Sequence, residues 1–267
     1  MKHFFRFFFI IIFSASCSEY QKALKSEDSA VKIKSANEMY EKGKYTKAIR
    51  LYEQLESEYR GKPQGERLFY MFAQSYYKTE QYNLAGYKFE IFVSGYPKSE
   101  KLEEASFLGA KCYSFLSPRY SLDQIDTEKG ISKMQNFINT YPNSTYLDEA
   151  NVIVKTLREK IEKKTFENAI IYNKIARYSA DHNAAMISID NFLSDFPGTP
   201  YQEEALFYKF DSAYKLAINS VESKKNERLL NAKKAYDAIL KFKKETKFKM
   251  QMDTMLAEIE KELKQFS

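Results

Sequence analysis

The sequence predicts an all-α protein, an α-solenoid of about five tetratricopeptide-like helix pairs followed by a C-terminal amphipathic helix. Three observations lead to this fold class. The 267 residues include only 8 Gly and 6 Pro, too few for the many tight turns of an all-β fold. The hydrophobic content of 44% is enough for a substantial core. Apolar and small residues also recur at steps of three and four in several similar stretches, which indicates repeated helices.

The first sixteen residues have the pattern of a secretory signal peptide. Lys2 and Arg6 precede the apolar run 7–13, and small residues follow at 14–16. Because the run is much shorter than the roughly 20 apolar residues that span a bilayer, we expect a leader that is cleaved rather than a membrane helix.

Cys17 follows the leader within Ser14-Ala15-Ser16-Cys17, a stretch that resembles the lipobox of bacterial lipoproteins. In those proteins the cysteine becomes the acylated first residue of the mature chain. Ser14 departs from the usual leucine, and cleavage at an ordinary signal-peptidase site is the alternative. Multiple acylation would hold the protein on a membrane, whereas one acyl chain binds only marginally. We therefore predict Cys17 as the lipidation site.

The repeats become visible when the second helix of each unit is aligned. Tyr45, Ala48, Tyr52 and Leu55 recur as Tyr82, Ala85, Phe89 and Phe92, and more loosely in three later stretches. These steps place the residues on one helix face, where the small residue lets a neighbouring helix approach closely. The residues that best match the repeat consensus in the second unit are Phe69, Phe72, Ala73, Tyr76, Tyr82, Ala85, Phe89, Phe92 and Pro97.

The central units also end alike. Pro97, Pro142 and Pro197 follow an aromatic residue and mark helix stops, because proline cannot continue a helix. A Glu-Ala pair follows each proline by seven and eight residues, and its carboxylate suits the start of the next helix. This is the pattern of the tetratricopeptide repeat, whose helix pairs stack into a solenoid.

The third unit contains extra residues. Ala110 and Tyr113 match Ala73 and Tyr76, so the second helix should begin near residue 119, yet its pattern resumes at Thr127. The eight extra residues are as many as the stretch SPRYSLDQ at 117–124 contains. We therefore predict an insertion between the two helices of this unit.

The fourth unit contains extra helical residues, and the chain ends in a predicted closing helix. The spacing to the fourth unit exceeds the 37-residue spacing by 18 residues, about 27 Å of helix. Residues 157–178 therefore form two helices or one long bent helix. The closing helix has an apolar stripe at Met252, Leu256, Ile259, Leu263 and Phe266. For the basic run 241–249 we expect a solvated face, with acidic lipid headgroups or an acidic partner as the alternative.

The residues offer no familiar catalytic, metal or cofactor site. The two histidines are His3 and His182, and the only cysteine besides Cys17 is Cys112, so no His/Cys metal spacing exists. We expect structural roles for His182 and Cys112, no enzymatic activity and no cofactor. The net charge of +6, or +4 without the leader, is a poor footprint for nucleic acid.

Taken together, the chain resembles the BamD family of outer-membrane β-barrel assembly lipoproteins. The resemblance covers essentially the whole mature chain, although the last 40 residues match only as a helix pattern, and Gly130 stands where family members usually have Ala. The stretches that carry it are CSEYQKALKS at 17–26, YEKGKYTKAIRLYEQL at 40–55, SPRYSLDQIDTEKGI at 117–131 with the following FINTYPNS, and LREKIEK through Tyr172 to FLSDFPGT.

The resemblance implies a lipid-anchored adaptor on the periplasmic face of the outer membrane. Its C-terminal repeats would bind the POTRA domains of a BamA-like barrel subunit, alongside other assembly subunits. Its N-terminal repeats would receive the C-terminal strand signal of unfolded outer-membrane proteins. The insertion would then be a partner-binding loop rather than an active site. Its candidate contact residues are Pro118, Arg119, Tyr120, Asp123 and Gln124.

A different envelope scaffold, of the type associated with the Tol–Pal system, is the alternative function. Such proteins share the YPxS repeats but lack the lipidated cysteine and the 117–124 insertion. The domain organisation that we predict is a signal peptide at 1–16, a lipidated N-terminus and tether at 17–30, N-terminal repeats at 31–142, and C-terminal repeats with the capping helix at 143–267.

Overall fold

The computed structural model describes residues 19–266, so the predicted signal peptide and Cys17 lie outside the described residues. Within that range every regular element is helical, which confirms the predicted all-α, tetratricopeptide-like fold class. The α-helices are α1 (19–25), α2 (Ser29–Glu41), α3 (Tyr45–Tyr59), α4 (Glu66–Lys78), α5 (Tyr82–Gly95), α6 (Leu102–Phe115), α7 (Ile125–Thr140), α8 (Leu147–Ser179), α9 (His182–Asp195), α10 (Gln202–Ile218), α11 (Glu222–Phe242) and α12 (Lys249–Leu263). Short 3₁₀ turns occupy Pro63–Gly65 and Lys264–Phe266.

The chain divides into two compact units, one ending at Arg158 and the other beginning at Glu159. This division lies inside α8, which is a single helix of 33 residues rather than two. The predicted limit between N-terminal and C-terminal repeats, after residue 142, remains a prediction about the repeats and differs from the limit between the compact units.

The core of the first unit contains the apolar positions that the repeat pattern selects. Consecutive helices from α2 to α7 pack against one another. Phe69, Phe72, Phe89 and Phe92 are fully buried, whereas Tyr82 at the start of α5 is only half-buried. Each fully buried aromatic ring removes a large apolar area from water, so these residues dominate the stability of the unit.

The helix pairs are joined by one recurring turn after the aromatic–proline dipeptides. The hydroxyl of Ser99 accepts a hydrogen bond from the main-chain N–H two residues later at 3.0 Å, and Ser144 and Thr199 do the same at 3.0 and 3.1 Å. Thr246 repeats this bond at 3.3 Å, although no proline precedes it. The structure therefore shows a fourth copy of the turn that the sequence pattern did not reveal.

The second unit has its own core between α10, α11 and α12. Phe210, Leu229 and Ile239 are fully buried there. The predicted apolar stripe of the closing helix packs on them: Met252 and Ile259 are buried, and Leu256, Leu263 and Phe266 are partly buried. The apolar face of α12 thus covers the last helix pair of the unit.

Candidate partner-binding surfaces

The insertion 117–124 forms the connection between α6 and α7. The first of these helices ends at Phe115 and the second begins at Ile125, so the structure places the extra residues between the helices as the repeat spacing predicts. The main-chain N–H of Leu122 donates to the carbonyl of Arg119 at 3.1 Å and closes a turn within the loop.

Gln124 is the last residue of this loop, and its side chain is buried among the loop carbonyl groups, with a relative exposure of 5%. Its amide Nε2 points at four carbonyl oxygens of the loop, those of Leu122 at 2.9 Å, Arg119 at 3.0 Å, and Tyr120 and Asp123 at 3.3 Å. Its Oε1 accepts from the hydroxyl of Thr127 at 2.7 Å. Buried polar groups are costly unless they are paired in this way. Gln124 therefore holds the loop in shape.

Two hydroxyl groups and a carboxylate attach the loop to α7. Ser117 Oγ lies 2.7 Å from Thr127 Oγ1, and Thr127 is fully buried. Asp123 Oδ1 accepts from the main-chain N–H of Ile125 at 2.8 Å, which satisfies one of the free N–H groups at the start of the helix. Asp123 is exposed, and its carboxylate also stabilises the start of α7.

The outer surface of the loop carries both charge and apolar area. Arg119 is exposed, and Pro118 and Tyr120 are half-buried. Leu122 and Ile125 are 48% and 69% exposed. Of the five candidate contact residues, the structure therefore gives outward positions to Arg119 and Asp123, intermediate ones to Pro118 and Tyr120, and an inward position to Gln124. Contact with a partner remains a prediction for this loop.

The chain immediately after Cys17 packs on the first helix pair. In α1, Tyr20 and Ala23 are 3% and 1% exposed and belong to the core of the first unit. The Tyr20 hydroxyl donates to the carbonyl of Lys47 at 3.4 Å, and the Lys47 ammonium lies 5.1 Å from the centre of the Tyr20 ring. Part of the predicted tether is therefore a packed helix, and α1 includes the residue two positions after Cys17.

A groove in the first unit combines aromatic rings with cationic side chains. Its cavity volume is about 490 Å³. We call it the N-terminal groove. Its lining includes Tyr40 of α2, Arg67 and Tyr70 of α4, Phe92 of α5 and Lys101 before α6. The rings of Tyr70 and Phe92 meet edge to face with centres 5.5 Å apart, and the Lys101 ammonium lies 5.6 Å from the Tyr70 ring.

Burial keeps the two phenols of the N-terminal groove protonated. Burial, and then a hydrogen bond to Glu104, raise the pKa of Tyr70, and burial raises the pKa of Tyr40. Both phenols therefore keep their proton at neutral pH; the Tyr70 hydroxyl is bonded to Glu104 and accepts from Gln74 Nε2 at 2.9 Å. Arg67 is largely exposed and lies 3.6 Å from Glu41, a separation at which an exposed ion pair contributes little. Its guanidinium can accordingly exchange Glu41 for an incoming carboxylate.

The pattern reasoning missed the N-terminal groove because it treated repeat aromatics as core. Tyr40, Arg67 and Tyr70 lie on the first helices of their pairs, at positions that the repeat consensus does not specify. The sequence does contain one signal. Tyr70 follows Phe69 at a position where the helical period predicts a polar side chain.

The basic run 241–249 is largely paired within the second unit. Lys243 Nζ lies 2.7 Å from Glu203 Oε2, Lys247 pairs with Glu204, and Lys249 pairs with Asp253. These pairs fit the solvated face that the sequence favours and leave a smaller basic surface than the run of lysines suggests.

Cys112 and His182 both belong to helix packing. Cys112 is fully buried, and burial raises the pKa of its thiol to about 12, so it is not a nucleophile at neutral pH. His182 is the first residue of α9, is 7% exposed, and has a buried Nδ1 that finds no hydrogen-bond partner among residues 19–266. Burial, followed by the charge of Lys215, lowers the pKa of His182.

Residues 19–266 contain no group of three or more His, Cys, Asp or Glu side chains that is arranged to hold a metal ion. Over the same residues, none of the helices combines the length and the apolar character that a membrane span requires.

Comparison with known proteins points in one direction. The family model of YfiO, described as an outer membrane lipoprotein, matches residues 26–229. Three relatives are each named outer membrane protein assembly factor BamD. The Caulobacter vibrioides protein is 22% identical over 193 residues, 71% of this chain and 61% of that protein. The Haemophilus influenzae protein is 21% identical over 217 residues, 75% of this chain and 81% of its own length. The Pasteurella multocida protein is 21% identical over 192 residues, 68% of this chain and 72% of its own. The match thus spans less than two thirds of the first of these relatives.

Proposed function

Since this chain belongs to the YfiO family of outer membrane lipoproteins, we propose that it is a non-catalytic scaffold of the machinery that assembles β-barrel proteins in the outer membrane. In this role it is anchored by acylated Cys17 on the periplasmic face. It binds the periplasmic POTRA domains of a BamA-like barrel subunit and receives unfolded outer-membrane proteins. The names of the three BamD relatives support the assembly role.

The N-terminal groove carries the substrate part of this proposal. An unfolded barrel protein presents a C-terminal strand that ends in an apolar or aromatic side chain and a free carboxylate. The half-buried ring of Tyr70 offers a face for such a side chain, and the buried ring of Phe92 packs against Tyr70 edge to face. Arg67 offers charge for the carboxylate and the Tyr40 hydroxyl offers a hydrogen bond, whereas the Lys101 ammonium pairs with Glu104 at 2.9 Å. This combination in one groove of about 490 Å³ is the observation that supports substrate binding there.

The position of α1 supports the proposed anchor. Residue 19 already belongs to a helix whose Tyr20 is buried, and two residues reach at most about 7 Å. A lipid on Cys17 would therefore hold the first helix pair close to the membrane surface. We expect a Cys17→Ala variant, exported with a cleavable leader, to move from the membrane fraction to the soluble periplasm. Retention of this variant in membranes after a high-salt wash would contradict lipid anchoring.

The assembly role is tested by depletion in the native bacterium. We expect the outer-membrane levels of several β-barrel proteins to fall within a few generations, while lipoproteins without a barrel persist. Re-expression of the wild-type chain should restore the barrel proteins. Unchanged barrel levels after depletion would reject the assembly role and leave the Tol–Pal type of scaffold as the alternative.

The N-terminal groove is tested with a labelled ten-residue peptide that ends in Phe with a free carboxylate. The mature chain in detergent micelles is titrated with this peptide and with the same peptide amidated at its C-terminus. Arg67→Glu should weaken binding of the free acid about fivefold to tenfold, because it replaces an attraction by a repulsion. Lys78→Glu makes the same charge change at an exposed position of α4 outside the groove and should leave the affinity unchanged. Equal affinity for both peptides would contradict carboxylate recognition.

Partner binding by the insertion is tested on its outer surface. We expect Arg119→Glu combined with Leu122→Ser to preserve the helical circular dichroism and to reduce copurification of the BamA-like subunit. The matched control is Lys78→Glu with Val31→Ser, which changes one charge and one exposed apolar side chain elsewhere in the first unit. Equal recovery of the barrel subunit with both double variants would remove the loop from the interface.

A further inference from the structure

A second groove lies in the second unit, between α9 and α11, and α10 forms its floor. Its cavity volume is about 560 Å³. From α9 it is lined by Asn183, Met186 and Ile187, which share one helix face because they are three and four residues apart. Leu206 and Ala213 of α10 provide the floor. We call this cavity the α9–α11 groove.

The repeat provides an internal standard for the α9–α11 groove. Aligned on Phe92 and Phe192, α9 corresponds to α5, and aligned on Phe137 and Ile239, α11 corresponds to α7. The first unit has a groove between α5 and α7 with a cavity volume of about 260 Å³, which overlaps the aligned α9–α11 groove at four lining positions and lies about one helical turn further along the helices. The groove of the second unit is thus about twice as large, although the two are built from matching helices.

Side chains close the groove of the first unit. Lys133 of α7 reaches across to Glu90 of α5, with Nζ and Oε1 2.8 Å apart. The ring of Tyr113 on α6 fills space below, and the ammonium groups of Lys129 and Lys133 lie 4.4 and 5.5 Å from its centre. An ion pair and a ring with two cations over it thus occupy the space between the helices.

Small and uncharged residues stand at the positions that match Tyr113, Lys129 and Lys133, although Gly86 and Gly109 correspond to the larger Met186 and Lys209. Alanine replaces the ring of Tyr113 at Ala213 and the bridging lysine at Ala235, and Asn231 stands in place of Lys129. Asp190 corresponds to Glu90, but it pairs with Lys209 of α10 at 2.5 Å and not across the groove. The α9–α11 groove is therefore open because of specific residue differences within the repeat.

The open space has an apolar base. Met186 and Leu206 pack against the core of the second unit and are partly buried. Ile187 is 61% exposed at the edge of the groove. A single exposed isoleucine is ordinary on a protein surface, but one that borders an apolar cavity gives a partner side chain a place to be buried.

The rim of the groove is positively charged. A smaller cavity of about 340 Å³ shares Asn183 and Asn231 with the groove and extends it along α11. The two cavities are bordered by four cationic side chains and two carboxylates, those of Asp190 and Glu227. Lys224 and Lys234 have no acidic partner among the residues that the structure describes. The rim therefore attracts acidic side chains.

Asn183 and Asn231 face the groove from opposite helices. Neither side-chain amide has a hydrogen-bond partner within the described residues 19–266. An amide offers both a donor and an acceptor, which match the N–H and C=O groups of a peptide main chain. An extended chain presents these groups, whereas a helix uses its own internally.

We propose that the α9–α11 groove binds an extended, acidic segment of a partner protein. Apolar side chains of the segment enter the base of the groove, its carboxylates meet Lys224 and Lys234, and its main chain bonds to Asn183 and Asn231. This inference goes beyond the function proposed above, since it concerns a different groove and a different ligand chemistry from the N-terminal groove.

The probe is a fluorescein-labelled ten-residue peptide in which Asp and Glu alternate with Leu and Val. Its control has Lys in place of every acidic residue. Fluorescence anisotropy with the mature chain in detergent micelles should give a dissociation constant of about 10–100 µM for the acidic peptide and at least tenfold weaker binding for the basic one. The absence of binding at about 1 mM acidic peptide, or equal binding of both peptides, would overturn the proposal.

Two pairs of variants locate the binding to the groove. Lys234→Glu should weaken the acidic peptide about fivefold to tenfold, whereas Lys241→Glu, the same change at an exposed position near the end of α11, should not. Ala235→Leu fills the groove without changing its charge and should weaken binding at least tenfold, whereas Ser223→Leu on the same helix should not. Equal effects within either pair would overturn the location.

Two further measurements exclude other occupants. Sedimentation velocity should give the same mass for the wild-type chain and for Ala235→Leu, and a dimer that Ala235→Leu dissociates would show that the occupant is a second copy of this chain.

An acidic amphipathic peptide locked in a helix by a side-chain crosslink should bind more weakly than the extended one. Tighter binding of the helical peptide would overturn the extended geometry. Ala235→Leu should leave the affinity of the N-terminal groove for its Phe-ended peptide unchanged. A loss of acidic-peptide binding in this variant can then be separated from a failure of the function proposed above.

Discussion

The amide of Gln124 organises the insertion from within. It bonds to carbonyl oxygens of the loop, including those of Arg119 and Leu122, and to the hydroxyl of Thr127 on α7. Loops usually lie on the surface because their main-chain polar groups need water. Here one buried side chain bonds to several of these carbonyl groups, and Arg119 and Leu122 lie on the outer side of the loop.

We expect Gln124→Ala to lower the free energy of unfolding by about 1–3 kcal/mol, because several carbonyl groups and the Thr127 hydroxyl would lose a buried partner. Arg119→Ala, at an exposed position in the same loop, should change it by less than about 0.5 kcal/mol. Chemical denaturation followed by circular dichroism measures both values. Identical midpoints for the two variants would show that Gln124 does not hold the loop.

At the scale of single elements, close helix packing depends on residues without a side chain. Gly130 of α7 faces α6, and a Cβ added there would lie 3.2 Å from the carbonyl oxygen of Tyr113 and 3.3 Å from the Cα of Ser114. Both are main-chain atoms of α6, which cannot move aside as a flexible side chain can. This packing explains how glycine is accommodated within a helix despite its low helix propensity.

Gly130→Ala should therefore lower the free energy of unfolding by about 1 kcal/mol, since overpacking costs more than the gain in helix propensity. Gly95→Ala is the matched control, because no side chain or neighbouring helix of the described residues comes within 4 Å of its added Cβ. It should raise the free energy of unfolding by up to about 1 kcal/mol. Thermal melts of both variants, with opposite shifts, would confirm the packing, and a stabilising Gly130→Ala would contradict it.

The turn before α12 depends on a carboxylate of α10. Glu203 accepts hydrogen bonds from Lys243 Nζ and Thr246 Oγ1, both at 2.7 Å, and from the main-chain N–H of Lys247 at 2.9 Å. The bond to Lys243, and then that to Thr246, lower the pKa of Glu203 to about 2. Glu103 and Ser144 form the matching bond at 2.5 Å in the first unit.

The lowered pKa of Glu203 makes this part of the stability dependent on pH. A carboxyl with a depressed pKa in the folded state stabilises the protein above its pKa in the unfolded state, about 4.5, and loses that contribution as the pH falls toward 2. Glu203→Gln should therefore lower the melting temperature at pH 7, and the difference from wild type should shrink between about pH 5 and pH 2. A difference that stays constant over this range would exclude the carboxylate as its cause.

At the scale of the whole molecule, the core is distributed over stacked helix pairs. Four separate clusters of buried apolar residues occur within the described chain, two of them centred on Phe72 and Phe210. In repeat proteins stability is approximately a sum of contributions from each repeat and its neighbours. Damage to one cluster should consequently have a local effect.

Phe210→Ala should cost about 3–5 kcal/mol of local stability by leaving a cavity. We expect faster amide hydrogen exchange chiefly in α10, α11 and α12. Phe72→Ala, a matched loss of a fully buried ring, should instead accelerate exchange in α3, α4 and α5. Hydrogen exchange followed by mass spectrometry distinguishes these patterns, and uniform acceleration over the chain in both variants would show that the protein unfolds as one unit.

The sequence by itself determined the helical fold, the recurring turns and the place of the insertion. These features depend on local patterns: the spacing of apolar residues on a helix face, prolines that end helices, and repeats that align with one another. The same reasoning placed the closing helix correctly, and it left residues 157–178 open between two helices and one, which the structure resolves as the single helix α8.

The tertiary structure decided which residues of those elements are free to act. Gln124 faces inward, three lysines of the run 241–249 are neutralised by carboxylates, and the α9–α11 groove is open where the groove of the first unit is closed. Each of these outcomes depends on side chains from different helices, mostly far apart in the chain. Helical periodicity gives the face on which a residue lies, but only packing shows what it meets there.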